Sequence, residues 1–389
     1  MTGRTRIGLV MAGGGARAAY QAGVLLAVAK LLPAGVGNPF SIICGSSAGA
    51  INAAGLACGA EEFSRTAIYL SKVWQQLHVP MIYRADLGYF VRRTLYWGLS
   101  FVSGGLGPYN PRSLLDNDPL RELLGKTVRF EQLGLAIANG ALDALGVTAS
   151  CYSTGRSVTF FEGRPELEGW QRQLRDGMRT RLTLEHLLAT SAIPLLFPAQ
   201  RIGQHYYCDG AIRQLAPLSP ALHLGAQKLF VISLAGAHLP VPRNGDGRYP
   251  SLAQVFGHLL SSVFFDGMES DIERLSRVNQ TVSLLSSTLL AQHATPLHRV
   301  EVFTLAPSRP LEEIAREHIH SFPAPLRFLL SGTGATHARG LALSTYLLFE
   351  PGYCHALVEL GYRDALARRE AIRAFLELPG STPATELAD

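Results

Sequence analysis

Ser47 lies inside Gly45-Ser46-Ser47-Ala48-Gly49, and upstream of it the chain reads Gly13-Gly14-Gly15-Ala16-Arg17. A serine hydroxyl is a weak nucleophile until its proton has somewhere to go. A tight strand-to-helix turn can present it at a helix N-terminus, where the macrodipole favours developing negative charge. Gly45 and Gly49 flank Ser47 without side chains, as so sharp a turn demands. The earlier run can aim the backbone N–H groups of Gly13, Gly14 and Gly15 at one point. Fixed donors there would hold the oxygen of a tetrahedral intermediate, each lowering the barrier by about 3 kcal/mol. Arg17 adds a permanent cation beside the loop or holds it by hydrogen bonds. A nucleophile beside an oxyanion hole is the chemistry of acyl transfer to serine.

That chemistry needs a proton acceptor. Asp209 follows the strand-like Tyr206-Tyr207-Cys208 and precedes Gly210-Ala211, so its carboxylate leaves a buried strand onto a tight loop. In apolar surroundings the proton affinity of a carboxylate rises, and it can serve as a base. Asp-Gly is also an ordinary turn pair. The chain has 12 histidines, and a serine–acid–histidine triad would use a late one such as His238, His258 or His298. None of these sits in an evident loop at the end of a buried strand. An elbow placed after a single strand and helix is also early for that arrangement, in which several strands come first.

The glycine run has a rival reading as a nucleotide site, and the sequence excludes it. A dinucleotide fingerprint wants a further glycine where Ala18 stands, and an acidic residue about twenty positions on. The first 60 residues contain no Asp or Glu. A P-loop needs a lysine directly after its last glycine, and the first lysine of the chain is Lys30.

The elements that must position these groups read as α/β. Residues 7–12 form a buried strand, 16–32 a helix stopped by Pro33, 41–44 a second strand and 48–59 a second helix. Ala50, Ala53 and Ala54 let that helix lie close to the sheet. The alternation predicts a parallel sheet with helices on both faces. Further helices are expected over 61–77 and 131–144, and strands over 146–153 and 158–161, joined by the Thr154-Gly155-Arg156 turn. A short helix over Leu184–Thr190 and a strand over 205–208 lead to Asp209. Two more buried strands, 228–234 and 299–305, bracket a long helical stretch over 252–290. Arg172, Arg175 and Arg179 read as three cations on one helical face. Residues 240–249 read as a surface loop, 311–378 as mostly helical, and 379–389 as a frayed tail. The expected organisation is a catalytic core over 5–215, a continuation of the α/β domain over 216–308, a helical C-terminal extension over 309–378 and a disordered tail over 379–389.

With 389 residues, 47% hydrophobic and 17% charged, the chain can bury a large globular core. A net charge of +5 suits an anionic lipid surface and is too small to argue for nucleic acid. Cys44, Cys58, Cys151, Cys208 and Cys354 show no C-x-x-C spacing and read as small buried hydrophobes in a reducing compartment. No signal peptide and no spanning apolar run are evident, which points to the cytoplasm, with peripheral contact at the inner face of the membrane. Residues 81–109 interleave Tyr83, Tyr89, Phe90, Tyr96, Trp97 and Phe101 with Arg84, Arg92 and Arg93. That mixture suits a membrane interface or an aromatic cap over the site.

Taken in order, the glycine loop at 13–17, the elbow at 45–49 and Asp209-Gly210-Ala211 resemble the patatin-like phospholipase family. Ser191-Ala192-Ile193-Pro194 with Phe197-Pro198 resembles the segment that precedes its aspartate. Ala18 stands where many relatives carry glycine, a change that touches the local helix start. The resemblance is strong over 5–215; Tyr346-Leu347-Leu348-Phe349 and Leu360-Gly361-Tyr362 echo the C-terminal extension of bacterial members. It implies a three-layer α/β/α fold with a mostly parallel central sheet and a mainly helical C-terminal region. It further implies a dyad of Ser47 and Asp209 without histidine, in which Asp209 takes the proton as Ser47 attacks a lipid ester. Gly13, Gly14, Gly15 and Arg17 would hold the oxyanion, and Gly45, Gly49 and Gly210 would support the turns. Neither metal nor cofactor is expected, and the expected partner is a phospholipid or other lipid ester, with no nucleic acid. A transacylase or thioesterase using the same dyad, and a catalytically silent lipid-binding protein, are the alternatives.

Overall fold

Ten strands form one mixed sheet among the residues described by the computed structural model, 5–84, 88, 96, 113–236, 249–285, 298–335 and 340–379. They are β1 (Ile7–Met11), β2 (Ile42–Ser46), β3 (Ala144–Cys151), β4 (Ser157–Gly163), β5 (Trp170–Arg172), β6 (Arg175–Arg179), β7 (Gln200–Ile202), β8 (His205–Asp209), β9 (Lys228–Ile232) and β10 (Glu301–Leu305). The order is β10-β9-β1-β2-β3-β4-β6-β5, with β8 joining β3 and β7. From β10 to β3 every ladder is parallel; β4 and β8 both run antiparallel to β3.

The two central strands explain why their sequences lack polar alternation. Leu9, Met11 and Ile43 enter one apolar core, while Val10, Ile42 and Cys44 enter a second on the opposite face. A parallel sheet covered on both sides makes such strands apolar throughout. The described helices are α1 (Ala19–Leu31), α2 (Ser47–Cys58), α3 (Phe63–Gln75), α4 (Val79–Ile82), α5 (Asp118–Thr127), α6 (Phe130–Ala138), α7 (Leu184–Thr190), α8 (Ser219–His223), α9 (Leu252–Ser261), α10 (Gly267–Ser283), α11 (Leu311–His318), α12 (Ala324–Thr333), α13 (Leu341–Leu347), α14 (Pro351–Ala367) and α15 (Arg369–Phe375). The larger core gathers α1, α2 and α3 with the C-terminal helices α13 and α14; the smaller one takes Ala221 of α8 and Met268 of α10. Helices α1 and α14 touch backbone to backbone. A Cβ at Gly23 would lie 2.0 Å from the Val358 carbonyl oxygen, and one at Gly361 would lie 2.1 Å from that of Tyr20. The helical C-terminal region is therefore clasped to the first helix of the α/β core.

The expected mostly parallel sheet, flanking helices and helical C-terminal region are all present. Three local expectations need correction. The helix expected over 131–144 ends at Ala138, because Gly140 turns the chain with φ +75° and β3 already begins at Ala144. Arg172, Arg175 and Arg179 share no helical face. They belong to the hairpin of β5 and β6, where Arg172 pairs with Arg175 and Leu174 turns the chain with φ 58°. The stretch expected as one helix over 252–290 breaks into α9, a π-helical turn over Ser262–Asp266 and α10. All five cysteines are buried free thiols. Among the described residues no helix is long and apolar enough to cross a membrane. Of the aromatic and arginine segment at 81–109, only 81–84, 88 and 96 are described, so Arg92, Arg93 and most of its rings lie outside the described residues. Residues 240–248, His238 and the tail from 380 lie outside them too.

Candidate active site

No residue separates β2 from α2: Ser46 ends the strand and Ser47 begins the helix. Such a junction bends the chain within one residue, and Ser47 carries the bend at φ 53°, a left-handed conformation unusual for a side-chain-bearing residue. The flanking glycines let backbones close in. A Cβ on Gly45 would come 2.6 Å from the Gly49 carbonyl oxygen; one on Gly49 would meet the Met11 and Ala12 carbonyl oxygens at 2.4 Å. The strain is held by a residue that sequence reasoning did not single out. Thr190, the last residue of α7, accepts the Ser47 N–H at 2.8 Å and donates its own hydroxyl hydrogen to the Thr148 carbonyl on β3. Only its place in the segment before Asp209 hinted at it.

Asp209 reaches the same point from the opposite direction. Ser46 is in register with Thr148 of β3, and Asp209 is in register with the next residue, Ala149. The other edge of β3 is taken by β4 along this stretch, so β2 and β8 share one edge. They run toward each other and meet at their C-terminal ends. A strand advances about 3.3 Å per residue, which sets the backbone spacing between the two ends. Gly210 fits beneath the junction, since a Cβ there would strike the Thr148 carbonyl oxygen at 2.0 Å. The Asp209 N–H is tied to the Ala192 carbonyl at 2.9 Å, which gives the Ser191-Ala192-Ile193 segment its positional role.

The carboxylate is fully buried, and Ser47 is 2% exposed. Oδ1 accepts the Ala211 N–H at 2.9 Å, whereas Oδ2 ends in no hydrogen bond among the described residues. The Ser47 hydroxyl lies near enough to the carboxylate to favour its charged form. Burial dominates over that and over the Ala211 N–H, and pushes the Asp209 pKa up to about 7.

The glycine loop closes the third side. Gly13 packs against Ser47, since a Cβ there would fall 2.8 Å from both the Ser47 Cβ and the Phe264 ring. Among the described residues, the N–H groups of Gly13 and Gly14 have no acceptor. Gly15 turns the loop with φ +57° and lies against the Tyr346 carbonyl, where a Cβ would come within 2.3 Å. The Arg17 guanidinium is held by hydrogen bonds. Its Nε donates to Thr345 Oγ1 at 2.6 Å and its terminal nitrogen pairs with Glu312 at 2.8 Å. The guanidinium also stacks over the Tyr346 and Phe265 rings at 4.4 and 5.1 Å. Those partners belong to the C-terminal half, so Arg17 ties the loop to α11 and α13.

From Ser47 an apolar cavity opens between α2, α3 and α5, walled by Ile51, Leu70, Trp74, Leu124, Phe197 and Phe349 among others. No histidine lines it among the described residues, and His258 faces a separate polar cavity beside Arg17 and Glu312. No cluster of three or more His, Cys, Asp or Glu side chains able to hold a metal ion occurs among the described residues.

Residues 9–222 match the patatin-like phospholipase family, more than half of the chain. The chain belongs to that family. The family is one of serine lipid hydrolases. The chain is 28% identical over 216 residues to a cGAMP-activated phospholipase of Pseudomonas aeruginosa, an alignment covering 55% of each protein, so the chain spans about half the length of that curated relative. Remote likenesses to solved structures include VipD of Legionella pneumophila, at 11% identity and TM-score 0.36, covering 95% of this chain and 67% of that one. Full-length ExoU in complex with SpcU, from Pseudomonas aeruginosa, overlaps 99% of this chain and 84% of its own at 15% identity and TM-score 0.25.

Proposed function

We propose that this member of the patatin-like phospholipase family hydrolyses carboxylic esters of phospholipids or lysophospholipids through an acyl group carried on Ser47. The observation that carries the reading is the head-to-head meeting of β2 and β8 on one edge of β3, which sets Ser47 against a buried, proton-avid carboxylate. Asp209 takes the Ser47 proton as Oγ attacks the ester carbonyl. The carbonyl oxygen becomes an oxyanion and receives the N–H groups of Gly13, Gly14 and Gly15. The intermediate collapses, the bond to the alcohol breaks, and the proton on Asp209 passes to the departing alkoxide. Asp209 then takes a proton from water, the hydroxide attacks the acyl carbon, and the returning proton restores the Ser47 hydroxyl. Helix α2 starts at the nucleophile, so its dipole favours the negative charge that develops there.

The test is turnover of a p-nitrophenyl acyl ester and of a lysophospholipid by wild type, Ser47→Ala and Asp209→Asn. Both variants are expected to lose activity while keeping the wild-type melting profile at low pH, and a fluorophosphonate is expected to label Ser47. Full turnover by either variant would falsify the dyad. Mass spectrometry of the products tells free fatty acid from acyl transfer to another acceptor.

A further inference from the structure

Gly55 stands in the middle of α2, where glycine weakens a helix relative to alanine. Packing does not ask for it: a Cβ at Gly55 would meet only the Leu70 Cδ1, at 3.8 Å, an ordinary contact. Gly49 on the same helix is pinned by two carbonyl oxygens at 2.4 Å, so the two glycines answer to different needs. What Gly55 faces is the cavity that begins at Ser47.

Ser47, Ala48, Ile51, Asn52 and Gly55 all line that cavity, at the spacing of one helical face. Helix α2 is therefore a rail leading away from the nucleophile, and the span from Ser47 to Gly55 is about 12 Å at the helical rise. Helix α3 runs alongside in the opposite sense, with Trp74 Nε1 donating to Asn52 Oδ1 at 2.7 Å and Leu70 beside Gly55. Beyond Gly55 the cavity continues past Thr66 to Tyr69, which is half exposed. A chain of tetrahedral or planar carbons advances about 1.3 Å per bond when extended. The rail thus accommodates about ten carbons before Gly55 is reached.

The lining contains no charged residue among those described. Its amide, Asn52, is already spent on the Ala18 carbonyl, Gln21 and Trp74, and the Thr66 and Thr127 hydroxyls donate to backbone carbonyls. A phosphate or other polar head group would lose its hydration there without gaining partners, whereas a hydrocarbon chain loses nothing. We propose that the groove along α2 measures the acyl chain, with Gly55 holding open the space beyond about the tenth carbon, so that the enzyme favours long-chain esters. This rests on the acyl-Ser47 reading above.

The experiment compares kcat/KM for p-nitrophenyl butyrate and p-nitrophenyl palmitate in wild type, Gly55→Ala and Gly55→Leu. The palmitate-to-butyrate ratio is expected to fall by about tenfold or more in Gly55→Leu and by less in Gly55→Ala. Melting temperatures should equal or exceed wild type, because both replacements are better helix formers. A ratio equal to wild type in both variants overturns the assignment, as does an equal loss on both esters. Failure of the underlying reading shows separately, as wild-type enzyme that takes no fluorophosphonate label at Ser47.

Discussion

The Thr190 side chain accepts the N–H of Ser47 and donates its own hydroxyl hydrogen to the carbonyl of Thr148, so one hydroxyl fixes both the strained elbow and the β3 edge beside it. The contact is buried, and Ser47 could not relax its left-handed backbone without leaving a donor unpaired. Replacing Thr190 with valine keeps the shape and removes both hydrogen bonds. Leaving buried polar groups unsatisfied costs about 1–3 kcal/mol, so kcat is expected to drop about ten- to a hundredfold. Thr190 is fully buried and does not line the cavity at Ser47, hence KM should change little. Thr190→Ser should restore most of kcat, and a serine variant as impaired as the valine one would remove Thr190 from this role.

Gly13 offers a sharper probe of the loop. An added methyl would sit 2.8 Å from the Ser47 Cβ and from Phe264, too close for any neighbour that does not move. Gly13→Ala is therefore expected to displace the loop amides or the serine and lower kcat/KM by about a hundredfold, the scale of losing an oxyanion donor. Gly37→Ala is the control, since a Cβ there meets nothing within 4 Å. Equal activity in the two variants would mean that Gly13 does not border the reacting atoms.

Some of this was legible in the sequence and some was not, for definite reasons. Continuous apolar runs marked β1, β2 and β9 because both faces of the sheet are covered, and Leu184–Thr190 was readable to the residue as a helix. The elbow was legible because Gly45 and Gly49 are required by close backbone approach. Arg172, Arg175 and Arg179 misled, because a spacing that suits a helix also fits a hairpin once Leu174 turns the chain. The destination of Arg17 was invisible: its partners, Thr345 and Glu312, lie about three hundred residues away in sequence, and only packing of the C-terminal helices brings them near. Thr190 carries no motif of its own, since its function comes from the carbonyl and amide it happens to bridge.

Arg17 accordingly tests stability more than chemistry. Its side chain is 4% exposed and that of Glu312 is 21% exposed, so removing one partner strands a largely buried charge. Glu312→Gln and Arg17→Met are each expected to lower stability by about 3–5 kcal/mol, read as a fall in urea midpoint. Joining Arg17→Met with Glu312→Leu should recover much of that loss, because no unpaired charge remains. The double variant should also retain more kcat than Gly13→Ala. Activity abolished in a double variant as stable as wild type would place Arg17 at the oxyanion site.

Asp209 makes the strongest demand on pH. In the proposed dyad Asp209 must be ionised to accept the serine proton, and burial holds its pKa near 7. The kcat/KM profile is expected to rise through an acid limb with its midpoint at about 7, while an ordinary exposed aspartate would place it near 4. Stability should move the other way. Between about pH 4 and pH 7 the folded protein keeps a proton on Asp209 that the unfolded chain has lost, so raising pH across that window destabilises the fold. The full effect is about 4 kcal/mol once pH exceeds both values, and it vanishes below about pH 4, where both states are protonated. Asp209→Asn carries no such charge. Its melting temperature relative to wild type should therefore be higher at pH 8 than at pH 5, even as its turnover is lost. A variant whose advantage is the same at both pH values would show that Asp209 titrates like a solvent-exposed carboxylate, and the case for it as the base would fail.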